Sequence, residues 1–290
     1  MHKKHFRLMT FFLALGAALN FNCLENPFGS KDEIRDKRQT SGQVVYPGGA
    51  AAAGVFVWLD IYNLSTYTDA EGKFSLVLPA TQSRQGIVEE GLIYFYIANF
   101  QLATARVKIS EGEFMPLEGD LDKQSQVRES IVMRRAVNIV TQVIPASLPA
   151  DTSFLLIRAS VVADEGCAIV YNPLMPEVPY NMPDTAGLGA AIFRHLASGD
   201  FFIVRLDPEG RANERIVPCS YDSLHRELAI SINQLPAMPA GKYEVIPYLL
   251  CEPENTPSGL LAKLGLELNE LGANYLKKPM RRTGGAFEIR

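Results

Sequence analysis

The chain of 290 residues carries a formal charge of −4 at pH 7, with 47% hydrophobic and 21% charged residues. That length accommodates two ordinary domains with substantial cores, and the slight acidity excludes whole-molecule steering towards nucleic acid. Eighteen Pro, 22 Gly and many Val, Ile, Phe and Tyr runs lean towards a mostly β fold. The expectation is two β-sandwich domains in tandem with a short C-terminal helix.

In chain order, Lys3, Lys4 and Arg7 precede an apolar run over residues 8–19. This is a charged start followed by a hydrophobic stretch too short to span a bilayer comfortably. Cys23 follows in Leu19-Asn20-Phe21-Asn22-Cys23. The segment resembles a bacterial lipoprotein signal, in which residues 1–22 are removed and Cys23 becomes the acylated first residue. The usual pattern has Leu three residues before the Cys and a small residue directly before it; here Leu19 stands four before, and Asn22 adjoins. The alternative is an ordinary secretory signal cut after Ala18, in the small-x-small triplet Gly16-Ala17-Ala18. Residues 23–40 mix Lys31, Asp32, Glu33, Arg35, Asp36, Lys37 and Arg38 with few apolar residues, the composition of a solvated tether. The implied address is the bacterial cell envelope, on the outer membrane and held by palmitate-class acyl chains, with secretion as the alternative.

Residues 41–135 form the first expected domain. Gln43 to Tyr46 reads as a short strand, and residues 55–61 as a longer one with Val55, Val57, Leu59 and Ile61 on one face. Phe56, Trp58, Asp60 and Tyr62 alternate on the other, the period of a sheet. Residues 73–78 follow the turn Asp69-Ala70-Glu71-Gly72, a hairpin signal in which Gly72 is free to take positive φ. Gly-x-Val, then Gly-Val-x-Val-x-Leu, then Thr-Asp-Ala-x-Gly-Lys-Phe-x-Leu-x-Leu-Pro, as these stand here, resemble the carboxypeptidase regulatory-like domain. That resemblance covers the first third of the chain and implies a small transthyretin-like sandwich of the kind found in secreted proteins. Residues 91–98 are apolar on both faces, as in a central strand, and Asn99-Phe100 marks a corner. Trp58 reads as packing. Asp120 and Asp122 in a Gly-flanked loop invite calcium, but the spacing lacks the remaining positions of a calcium loop, and an acidic turn is preferred.

Residues 136–290 form the second expected domain, with strands over 137–143 and 154–163 and a long loop from Asn172 to Gly189. Residues 190–196 read as strand or short helix. Residues 201–206 and 215–217 are expected to pair about Asp207-Pro208-Glu209-Gly210, and residues 227–232 with 242–250 about Pro236 and Gly241. After Thr256 and Pro257, Leu261, Leu264, Leu268, Leu271 and Tyr275 recur at helical spacing, a stripe expected to pack on the sandwich. Lys277, Lys278, Arg281 and Arg282 form a basic cluster beyond it, touching acidic head groups or simply solvated.

Besides Cys23 there are Cys167, Cys219 and Cys251, enough for one disulfide and a leftover thiol in an oxidising compartment. Cys219 and Cys251 each close an expected strand and are the favoured pair, with Cys167 as the alternative member. No Cys-x-x-Cys, His-Glu-x-x-His, Gly-x-Ser-x-Gly or phosphate loop occurs, so no metal site, cofactor or catalytic motif is assigned. The functional expectation is a non-catalytic, membrane-anchored envelope lipoprotein. Its partners would be the membrane, through the N-terminal lipid, and an envelope protein or glycan met by the sandwich loops. The alternative is a secreted hydrolase with a site in the loop between Asn172 and His195. His225 with Glu227 is a weaker acid–base or metal pair on one strand face.

Overall fold

The computed structural model describes residues 37–80, 86–148, 154–164, 167–175, 187–205, 207–209, 212–219 and 223–290. The leader, Cys23 and most of the expected tether lie outside them. The folded body is mostly β, with tandem sandwiches and one short C-terminal helix. Its first strand, β1 (Gln39–Val45), begins two residues before the expected domain start at Ser41. Thr40 is buried, and its hydroxyl donates to the Ser125 carbonyl at 2.8 Å, so the end of the expected tether belongs to the sandwich.

The first sandwich contains β2 (Phe56–Leu59), β3 (Leu64–Tyr67), β4 (Lys73–Val77), β5 (Val88–Tyr96), β6 (Ala103–Ser110), β7 (Glu113–Phe114) and β8 (Ile131–Val132). One sheet has the order β4-β1-β8 and the facing sheet β3-β2-β5-β6-β7. The doubly apolar run is therefore central, as its pattern predicts. Gly72 sits at φ 74°, and a Cβ there would meet the Val44 carbonyl oxygen at 2.3 Å, so the turn excludes any side chain twice over. Asp69 secures the same turn by accepting from the Lys73 amide at 2.7 Å. Asp120 and Asp122 likewise spend their carboxylates on amides, those of Arg106 at 2.7 Å and of Gln126 at 2.8 Å. Both behave as turn caps.

The second sandwich contains β9 (Val137–Ile144), β10 (Ser147–Leu148), β11 (Phe154–Ala163), β12 (Val170–Met175), β13 (Ala190–His195) and β14 (Phe201–Arg205). It continues with β15 (Ala212–Ile216), β16 (Ser223–Ser231), β17 (Gly241–Pro247), β18 (Leu250–Cys251), β19 (Thr283–Gly284) and β20 (Ala286–Ile289). Its sheets run β10-β20-β17-β13-β14, β16-β11-β9-β19 and β15-β12-β18. Both hairpins expected in this half are corrected: β14 pairs with β13 while β15 pairs with β12, and β16 pairs with β11 while β17 pairs with β13 and β20. Consecutive strands cross between layers, because the core-facing stripes of β16 and β17 must close on each other across the sandwich rather than lie side by side. The expected long loop after Asn172 begins instead inside β12, and residues 176–186 lie outside the described residues. Residues 190–195, ambiguous from sequence, form strand.

The C-terminal helix is short. α1 (Ser258–Leu264) ends at Gly265, φ 106°, and the rest of the stripe continues as 3-10 turns. Leu260 joins the main core, while Tyr275 with Leu271 and Leu276 covers Ile192 and Ile246 on the outer face of β13 and β17.

Trp58 and Phe56 explain why β2 is buried on both faces. Val55, Val57 and Leu59 enter the first core, whereas Phe56, Trp58 and Tyr96 join a core shared with the second sandwich. The Trp58 ring packs so closely on α1 that a Cβ at Gly259 would stand 3.0 Å from it. The two sandwiches are thus fused through a continuous apolar seam rather than strung on a linker.

Candidate functional site

Each histidine outside the leader has a serine partner. His195 closes β13, and its Nδ1 lies 2.8 Å from Ser198 Oγ, which in turn donates to Asp200 at 2.6 Å. The order is inverted relative to a hydrolytic triad, where the imidazole stands between nucleophile and carboxylate. Here the serine is in the middle and its single proton is committed to Asp200, leaving the imidazole nothing to abstract. The three groups tie the β13–β14 hairpin. His225 faces Ser160 across β16 and β11, Nδ1 to Oγ 2.8 Å. Its strand neighbour Glu227 is held by Arg158 at 2.6 Å, so no carboxylate orients the ring, and the pair lies on an exposed sheet face. Neither arrangement supplies nucleophile, base and orienter together. Among the described residues, no three His, Cys, Asp or Glu side chains are grouped to hold a metal.

The cysteines are also redistributed. Cys167 and Cys219 form the disulfide, 52 residues apart, and Cys251 is a buried thiol, so the favoured Cys219–Cys251 pair is corrected. The reason is layer geometry: Cys167 and Cys219 oppose each other just beyond the β12–β15 ladder, whereas Cys251 pairs with Val170 on the opposite edge of β12. Burial pushes the Cys251 thiol up to about 12, away from reactivity.

The most concentrated chemistry lies at the seam. Asn99, buried in the turn that follows β5, donates from Nδ2 to the carbonyls of Val137 (2.9 Å) and Arg281 (2.8 Å). Its Oδ1 accepts from the Arg281 amide at 2.9 Å, and its own carbonyl receives the amides of Ala136 and Val137. Arg281 reaches into the first sandwich, donating to Tyr46 Oη at 2.9 Å and to the Ala53 carbonyl. The basic cluster is therefore not a solvated or head-group-facing patch as a whole. Lys278 is buried against Asn269 Oδ1, and the Arg282 guanidinium lies over the Tyr275 ring, 4.7 Å from its centroid. A cavity of 420 Å³ near Asn99 is lined by Phe100, Cys167, Cys251, Glu252 and Glu254, among others. Sequence reasoning marked Asn99 only as a corner and missed Tyr96 as a polar group. Their partners lie 182 residues away in the case of Asn99, beyond any local signal.

Desolvation lowers Lys278 from 10.5 to about 8. The unfolded lysine then holds its proton more tightly than the folded one, so this group penalises the fold at neutral pH and the penalty disappears as pH climbs through 8 towards 10.5. Between pH 7 and pH 10, wild type is expected to gain about 2 to 3 kcal/mol relative to Lys278→Met, a difference that cancels groups titrating in both proteins. Urea melts of the two proteins in phosphate-free buffer measure it.

No family model and no curated protein matches this chain. Among solved structures, BcpA, the major pilin subunit of Bacillus cereus, aligns at 10% identity over 71% of this chain and 63% of the pilin, with a TM-score of 0.26. A substituted form of the same pilin aligns at 9% identity over 72% and 64%, again with a TM-score of 0.26. The chain thus spans less than two thirds of the pilin's length. At that score the likeness carries no argument about role, and the fold description rests on the strands themselves.

Proposed function

We propose that this is a non-catalytic envelope lipoprotein, acylated at Cys23, whose fused sandwiches present loops to an envelope protein or glycan. The observation that carries the reading is the Cys167–Cys219 disulfide in a chain that opens with a leader-like segment. Structural disulfides persist in oxidising compartments outside the cytosol. Rigidity supports the display role: with Asn99 and Arg281 bonding across the seam, binding loops would keep a fixed geometry relative to one another. The chemistry at both histidines disfavours the hydrolase alternative, because the serine beside His195 is committed to Asp200, and His225, although it faces Ser160, has no orienting carboxylate.

Intact mass spectrometry of the mature protein from its native host is the test. The expected species begins at Cys23 and carries acyl chains, and Cys23→Ser releases the protein from the membrane fraction. An unacylated mature chain beginning at Leu19 would replace lipidation with simple secretion.

A further inference from the structure

The 420 Å³ cavity opens where the two sandwiches meet. The first sandwich lines it with the turn after β5, and the second with the start of β9, the segment before β12 and the end of β18. Its deep lining is apolar: Ala98, Phe100, Val137 and Cys251 are each 5% exposed or less. An apolar pocket of this size with a few polar groups at its wall is the usual form of a small-molecule site, where the polar groups set the ligand's orientation.

The charge of the lining has one sign. Glu252 and Glu254 both line the cavity, and no Lys, Arg or His does. Neither carboxylate makes a hydrogen bond or an ion pair among the described residues. The basic groups nearest by chain or by field are spent elsewhere: Arg135 is paired with Asp164 at 2.8 Å, and Lys278, whose charge Glu252 feels, is buried and held by Asn269. Pro253, between the two glutamates, is buried, and its carbonyl accepts from the Thr256 hydroxyl at 2.7 Å, which pins the backbone that carries them. Unpaired carboxylates beside low-dielectric walls concentrate a negative potential at the cavity. A bare metal ion would leave the apolar wall unused and finds no third ligand among the described residues. A ligand that answers both halves has an apolar body and a positive end.

We propose that this cavity binds a small organic ammonium ion, its apolar body against Ala98, Phe100 and Val137 and its charged end at Glu252 and Glu254. Occupancy stabilises the joint, since Phe100 comes from the first sandwich and both glutamates from the second. Anions of the same shape are repelled.

The test is the thermal midpoint of the full chain titrated with phenethylammonium chloride, at ionic strength held constant with sodium chloride. A saturable rise is expected. Methylammonium, which has the charge without the body, and 2-phenylethanol, which has the body without the charge, should each need at least about tenfold more to reach half-saturation. Glu252→Gln and Glu254→Gln, both at exposed positions that leave the fold intact, should each raise the half-saturating concentration of phenethylammonium about threefold, and the double variant about tenfold, the scale of solvent-accessible ion pairs. A midpoint flat in phenethylammonium overturns the proposal. Equal half-saturation with methylammonium overturns it too, because the apolar wall would then be idle, and equality with 2-phenylethanol does so because the carboxylates would be. A double variant that responds like wild type places the cation elsewhere on the surface and also sinks it.

Discussion

Cys219→Ser is expected to destabilise the oxidised protein by about 4 kcal/mol, whereas Cys251→Ala leaves the cross-link in place. The magnitude follows from loop closure: a disulfide spanning 52 residues removes chain entropy from the unfolded state worth about 4 kcal/mol at 25 °C. Cys167→Ser should match Cys219→Ser, and the double variant should cost no more than either single one, because all three delete the same constraint. Reduction of wild type with a dithiol should reproduce the loss, with the midpoint in urea falling and the slope rising as the unfolded chain expands. Non-reducing peptide mapping gives the direct check, joining Cys167 to Cys219. A map joining Cys219 to Cys251 would restore the pairing that strand ends alone favour, and with it a different arrangement of β12 and β18.

Asn99→Ala is expected to cost about 4 kcal/mol, an unusually large effect for one polar side chain. The substitution strands the Val137 carbonyl and both the carbonyl and amide of Arg281 at the seam, and each buried group left unpaired costs about 1–3 kcal/mol. Partial access of water at Arg281, whose side chain is exposed, holds the sum below the maximum. Because these bonds join β5 to β9 and to the segment before β19, the loss should also loosen the coupling between the sandwiches. Urea unfolding followed by Trp58 fluorescence, which reports the seam, and by far-ultraviolet dichroism, which reports both sheets, should coincide in wild type. In Asn99→Ala the Trp58 transition should come first. A loss smaller than about 1 kcal/mol with coincident transitions would mean that the apolar contacts of Phe56, Trp58 and Tyr96 hold the seam by themselves.

Much of the strand inventory was written in local pattern. The β9 alternation over Val137–Ile144 and that of β11 over Phe154–Ala163 appear in the sequence nearly as they appear in the fold, because side chains two apart share a face. The Asp69–Gly72 turn was equally legible, since the Gly at φ 74° and the Asp that caps the amides are chemical requirements of that turn. The break of the C-terminal stripe was not visible in its spacing: Gly265, at φ 106°, ends α1 inside a run of leucines that keeps the helical period. Strands β3 and β20 lacked a strong period of their own and take their conformation from the neighbours they pair with.

Pairing was where local reasoning failed, and the failures have one cause. Period and turn residues say that a strand exists; they do not say which layer it joins. Nothing near Phe201–Arg205 indicates that it pairs backwards with β13, and nothing near Lys278 or Arg282 indicates burial, since a basic cluster after an amphipathic stripe has the composition of a solvated tail. Burial there follows from Asn269, which holds Lys278, and from Tyr275, which carries the Arg282 guanidinium on its ring and itself packs on Ile192 and Ile246 of distant strands. Sequence by itself determined the β character, the first sandwich's central strand and the leader-like start, because these depend on residues within a few positions of each other. Tertiary structure alone decided the disulfide partner, the layer of each strand and the charged seam. Those depend on which faces must be covered together to exclude water, a condition that only the whole chain can satisfy.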